Sequence, residues 1–185
     1  MLPKHHLLSQ VPLRADSVMR RIQAEIWMDQ APVDVFATRS GPALIGWEAA
    51  RRMPLKRLRP RVPWGRLFDQ RWCKVVFPRK TGTADWFAWR DEGEATLHVD
   101  GSPFFGFDVA HRYCLLPRGI SEVWVEAHCV QSAIWHPEGK GLSAQGSLFE
   151  GAFLLRRNDD AWHAWHDLKC LLDVALALRQ QEDPR

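Results

Sequence analysis

The sequence predicts a mainly β protein: an antiparallel β-sandwich of jelly-roll type, with helices on its N-terminal side and one helix at its C-terminal end. Three observations carry this reading. Beyond Trp64 the apolar pattern changes from a period of about 3.6 residues to a period of about 2. The runs RWCKVVFP, ADWFAWRD, EATLHVD, HRYCLLP, SEVWVEAHCVQSAIW and GSLFEGAFLLRR then follow one another at roughly 8–12-residue spacing, each rich in β-branched or aromatic residues. Turn chemistry stands between them, at Thr81-Gly82, Glu92-Gly93, Asp100-Gly101, Arg118-Gly119 and Pro137-Glu138-Gly139.

Taken in chain order, Asp16 to Gln30 reads as an amphipathic helix. Asp16 or Ser17 can cap it, Val18, Ile22 and Ile26 share a face with Met19 and Trp27 beside them, and Pro32 closes it. Ser40-Gly41-Pro42 is a turn, and Ala43 to Met53 has helical spacing until Pro54 stops it. LKRLRPRVPWG then reads as an extended basic linker on a surface. These boundaries give a helical extension with a Pro-rich linker over residues 1–65, a sandwich over 66–157, and a terminal helix over 158–185. In that last helix Asn158 or Asp159 is the cap, Asp159 and Asp160 sit at the positive end of the dipole, and Trp162, Trp165, Leu168, Leu172 and Leu176 form the apolar stripe. Ala161, Leu171, Ala175 and Leu178 broaden the stripe beyond what a lone sandwich covers, which points to a second partner surface.

Composition bounds the function classes. With 185 residues, 46% apolar and 25% charged, the chain has the make-up of a single soluble globular domain. The net charge of +3 is small, but Arg51, Arg52, Lys56, Arg57, Arg59, Arg61 and Arg66 concentrate it locally. That stretch lacks a nucleic-acid reader motif, so nucleic acid is not an expected partner. No run reaches the ~18 apolar residues of a membrane span, and no secretion signal is read at the N-terminus, so the expected location is cytoplasmic. Cys73, Cys114, Cys129 and Cys170 contain no CxxC pair, and free thiols are expected. Ten tryptophans against one tyrosine suit sandwich cores, interfaces and sugar-stacking surfaces alike.

The run from Trp72 to Arg179 resembles the β-rich N-terminal domain that precedes the catalytic domain in family 38 glycoside hydrolases, the α-mannosidases of the shorter type. The resemblance lies in RWCKVVFPRK, a tryptophan-led strand ending in proline; in EATLHVDGSPFFGFDVAHRYCLLP, a strand, an Asp-Gly turn and a leucine-proline step; in EVWVEAH; and in a following helix that carries Asp167. The strand, Asp-Gly turn and aromatic-Gly-aromatic step are also similar to the galactose-binding-like jelly rolls appended to many glycosidases. The family's catalysis implies an Asp nucleophile and a divalent metal such as zinc on an early His-x-His motif. This chain has none: its close histidine pairs are His5-His6 and His163/His166. The resemblance therefore implies an accessory domain without the mannosidase site, no cofactor in this chain, and a metal that belongs to a separate catalytic region.

Candidate site residues follow from the aromatic and polar content. Trp86, Trp89 and Trp135 offer flat faces to a pyranose ring, and Asp108, His111 and Arg112 can line a ligand groove or make a polar contact at a domain interface, the latter being favoured. His163 and His166, at i and i+3, are the weak candidates for a metal. No spacing singles out a carboxylate pair for glycoside hydrolysis, and no catalytic residue is assigned. Three functional expectations result. The first is a non-catalytic accessory or assembly domain, partnered by a catalytic α-mannosidase region or by its own copies; the alternatives are a free-standing carbohydrate-binding module and a small glycosidase-like enzyme.

Overall fold

The computed structural model describes residues 4–130 and 146–182. Within them the chain forms two compact units, one from Gln30 to Leu155 and one from the chain ends, up to Asp29 and from Arg156 onward.

The first unit is a β-sandwich. One sheet contains β1 (Trp27–Pro32), β11 (Ser147–Arg157), β6 (Asp85–Asp91) and β9 (Tyr113–Leu115) in that order, with β4 (Val62–Trp64) pairing β11 as well. The other runs β3 (Lys56–Arg57), β2 (Asp34–Ala37), β5 (Gln70–Val76), β10 (Glu122–His128), β7 (Glu94–Val99), β8 (Ser102–Phe107). Its registers are antiparallel: Val125 lies opposite Cys73 on one side and Leu97 on the other. Alternation decides what is buried between the sheets. Val123, Val125 and Ala127 of β10 meet Cys73 and Val75 of β5 and Leu97 of β7, and the other sheet contributes Phe87, Trp89, Phe149 and Leu154. The rings pack edge-on, with Phe87 5.8 Å from Phe107 and 5.9 Å from Phe77.

The six period-2 runs between Gln70 and Arg157 thus form β5, β6, β7, β9, β10 and β11; the tail of the fifth run and its turn at Pro137-Glu138-Gly139 lie outside the described residues. Asp100 and Gly101 both have positive φ, 50° and 81°, which makes the tight turn between β7 and β8. The aromatic-Gly-aromatic step after that turn is itself strand β8, paired with β7. Gly93 carries the chain from β6 in one sheet to β7 in the other, and a Cβ there would meet the His128 carbonyl oxygen at 2.1 Å.

The structure departs from the sequence expectation before residue 65. Strand begins at Trp27, so the segment expected to be extension and linker supplies β1 to β4. The expected helix over 16–30 becomes α1 (Lys4–Glu25), which begins earlier and stops before Ile26, and the expected helix over 43–53 contracts to α2 (Trp47–Ala50). Pro32 cannot donate to a helix or sit within a central strand, and it falls at the end of β1, the edge strand of its sheet. Pro103 is likewise confined to β8, the edge of the other sheet.

The second unit pairs α1 with α3 (Asp159–Glu182). The Asn158 side chain caps α3 by accepting from Ala161 N at 3.2 Å, and the Asn158 backbone N–H donates to the Ile26 carbonyl at 2.8 Å. Leu168 faces Val11, Ala15, Val18 and Met19 of α1 across a shallow apolar groove of about 300 Å³. Leu171, Val174 and Leu178 remain 68%, 58% and 56% exposed. Among the described residues no helix is long and apolar enough to cross a membrane.

All four cysteines are free, three of them buried. Burial, which disfavours the thiolate, pushes the Cys73 and Cys114 thiols up to about 11 and raises Cys129.

Candidate functional site

The outer face of the six-stranded sheet holds a polar cluster. Gln70 and Trp72 of β5, His98 of β7, and Trp124, Glu126 and His128 of β10 all share it, because each is out of phase with the core-facing Cys73, Leu97 and Val125. The segment carrying α2 folds over part of this face. Ile45, Trp47, Ala50 and Leu55 pack on Trp72 and Trp124 as a second apolar cluster, so both faces of β10 are covered. Polar contacts fix the cover: Trp72 Nε1 donates to the Ile45 carbonyl at 2.8 Å, and the Gln70 amide bonds both to Ile45 N at 2.8 Å and to the Ile45 carbonyl at 3.2 Å.

At the rim of that cover Glu126 stands between two imidazoles. Gln70 Nε2 donates to its Oε1 at 2.5 Å, and His128 Nε2 lies 3.2 Å from the same oxygen. His98 Nε2 is 3.4 Å from Oε2, but off the hydrogen-bonding direction, and neither ring nitrogen of His98 has a hydrogen-bond partner. His98 is 6% exposed and rests against the Trp72 ring at 4.8 Å. This single carboxylate lacks the second carboxyl group that retaining glycoside hydrolysis uses. Among the described residues no group of three or more His, Cys, Asp or Glu is placed to hold a metal ion.

The residues singled out from the sequence are dispersed. Trp89 is 2% exposed, with Phe149 at 4.9 Å and Phe87 at 6.4 Å, so its faces belong to the core. Trp86, on the other side of β6, is half-buried opposite Leu115. Trp135 lies outside the described residues. Asp108, His111 and Arg112 do come together, in a turn whose Arg112 carbonyl accepts from Trp89 N at 3.2 Å. Asp108 Oδ1 accepts from Ala110 N and His111 N at 2.7 Å each and lies 3.0 Å from His111 Nδ1, while Arg112 Nε donates to the Val109 carbonyl at 3.2 Å. Partial burial raises the Asp108 carboxyl, but the bonds from His111 and Ala110 outweigh it and hold the group below the usual aspartate range. On α3, Trp162 stacks on His166 at 5.3 Å and touches His163 at 5.1 Å, so both imidazoles pack on one indole.

Two polar groupings escaped the sequence reading, though a signal for each was present. Glu126 and His128 alternate with Val125 and Ala127 in EVWVEAH, which places them beside Trp124. Arg71 and Asp91 are in phase with the apolar residues of their strands and form a buried ion pair at 3.3 Å. No family model and no curated protein matches the chain.

Proposed function

We propose that the chain is a non-catalytic accessory domain that works by assembly, resembling the N-terminal domain of family 38 α-mannosidases and partnered by a catalytic region of that class. In this reading it belongs to carbohydrate metabolism in the cytoplasm, and the zinc or other divalent metal of the reaction is held by the partner region. The observation that carries the proposal is the outward face of α3. Leu171, Val174 and Leu178 leave three large apolar side chains at least 56% exposed on one face of the helix, whereas large apolar patches on a protein surface mark association sites. Burial of such a face contributes on the order of 25 cal/mol per Å² of apolar surface removed from water, before the cost of association. The polar clusters of the sandwich are consistent with architecture: Asp108 closes a turn, and Glu126 braces the segment over Trp72.

Light scattering of the purified chain mixed with a separately expressed family 38 catalytic region tests the proposal. A complex is expected with the unaltered chain and not with Leu171→Glu combined with Val174→Glu. Failure of the unaltered chain to associate, or association unaffected by the two substitutions, would refute it.

A further inference from the structure

We infer that the sandwich carries a binding cleft for a phosphorylated small molecule, beside β2 and β3 and independent of the proposed α3 interface. The cleft measures about 540 Å³, and Arg39, Lys56, Arg57 and Arg71 are among its lining residues, with no acidic residue among the described ones. Its size falls within the range of roughly 300–1,000 Å³ usual for small-molecule sites, which is larger than a bare phosphate needs.

Arg71 is the buried cation of the lining. It is 3% exposed, its guanidinium lies over the Trp64 ring at 3.7 Å, Nη2 reaches Asp91 at 3.3 Å, and Nε is shut off from solvent. An arginine presents its donors as a fork suited to phosphate oxygens, and in this lining Arg39 is an exposed guanidinium open to a ligand. Thr38, 5% exposed, adds a hydroxyl that already accepts from Trp72 N at 3.0 Å and keeps its own proton for another acceptor.

The charge balance selects the ligand class. Of the four lining cations, Arg71 is matched by Asp91 and Arg57 by Asp34 at 2.5 Å, while no ion pair engages Arg39 or Lys56 among the described residues. Two unmatched positive charges suit a phosphomonoester, which carries about −1.5 to −2 at neutral pH, better than the single charge of a carboxylate. Lys56 and Arg57 belong to the basic stretch noted in the sequence, whose other cations Arg51, Arg52, Arg59, Arg61 and Arg66 lie outside the lining.

Isothermal titration calorimetry with glucose 6-phosphate, inorganic phosphate and glucose tests the assignment. Saturable binding of glucose 6-phosphate is expected, weaker binding of inorganic phosphate, and none of glucose. Arg39→Gln and Lys56→Gln, both exposed positions, are each expected to weaken glucose 6-phosphate binding about tenfold, as loss of a charge-assisted hydrogen bond implies; Arg59→Gln should leave it unchanged. Circular dichroism confirms that each variant is folded. The assignment is overturned if neither phosphate binds at about 10 mM, corresponding to an interaction weaker than about −3 kcal/mol. It is equally overturned if inorganic phosphate binds as tightly as glucose 6-phosphate, if glucose itself binds, or if the Arg39 and Lys56 variants bind like the Arg59 variant.

Discussion

Replacing Asp91 by alanine tests how the sandwich tolerates charge at its centre. The Asp91 carboxylate accepts from Ser147 Oγ at 2.5 Å, Trp64 Nε1 at 3.0 Å and Gly93 N at 3.2 Å, and it pairs with Arg71 at 3.3 Å. Both charged side chains are almost wholly enclosed, 3% and 2% exposed. Removing one partner of such a pair leaves a buried guanidinium uncompensated, which costs about 3–5 kcal/mol, and the orphaned indole and hydroxyl fall within that figure because the losses are not additive. Urea unfolding followed by tryptophan fluorescence should therefore show a loss of about 4 kcal/mol, with the midpoint lowered and the slope unchanged. The double replacement Arg71→Met with Asp91→Leu should recover at least half of that loss, because it removes both charges together. A loss below about 1 kcal/mol in Asp91→Ala would refute the assignment of the pair as a buried, mutually dependent unit.

Gly93→Ala should destabilise the fold by about 3 kcal/mol or more in the same assay, because its Cβ would collide with backbone rather than with a flexible side chain. A thiol reagent at pH 8 should label Cys170 rapidly and leave Cys73, Cys114 and Cys129 protected until denaturant is added, since only Cys170 is exposed and burial raises the other three thiols. The Asp108 carboxyl is lowered in the folded state, so its turn contributes stability above the ordinary aspartate pKa of about 3.9, and that contribution fades as pH falls through the lower folded value. Asp108→Asn should therefore flatten the acid limb of the melting-temperature profile, and a profile identical to that of the unaltered chain would count against the turn.

The sandwich strands from Gln70 onward, except the mostly exposed edge strand β8, were legible because one face of each is packed and the alternation survives in the sequence. Val123, Val125 and Ala127 against Trp124, Glu126 and His128 is the clearest case. Strands β1 to β4 were not legible for the opposite reason. They are short or lie at edges, β3 has only two residues, and nearly all of β1 is exposed, so nothing imposes a period on them. Neither the partner strand that satisfies their backbone groups nor the register is visible locally; both come from β5 and β11 far along the chain. The same holds for the polar sites. Asp108, His111 and Arg112 sit close in sequence and could be grouped, whereas Gln70 meets Glu126, and Arg71 meets Asp91, only through the sheet registers and the packing between sheets. A charge in phase with apolar neighbours, as Arg71 is with Cys73 and Val75, was the available warning that the strand buries more than hydrophobic groups.

The central claim is that this chain contributes assembly and not chemistry, and hydrolysis of a nitrophenyl α-mannoside by the purified chain, with and without added zinc, tests it most directly. The account predicts release of nitrophenol no faster than in buffer under either condition. Turnover by the chain alone that disappears when a single carboxylate is replaced, for example in Glu126→Gln, would contradict it.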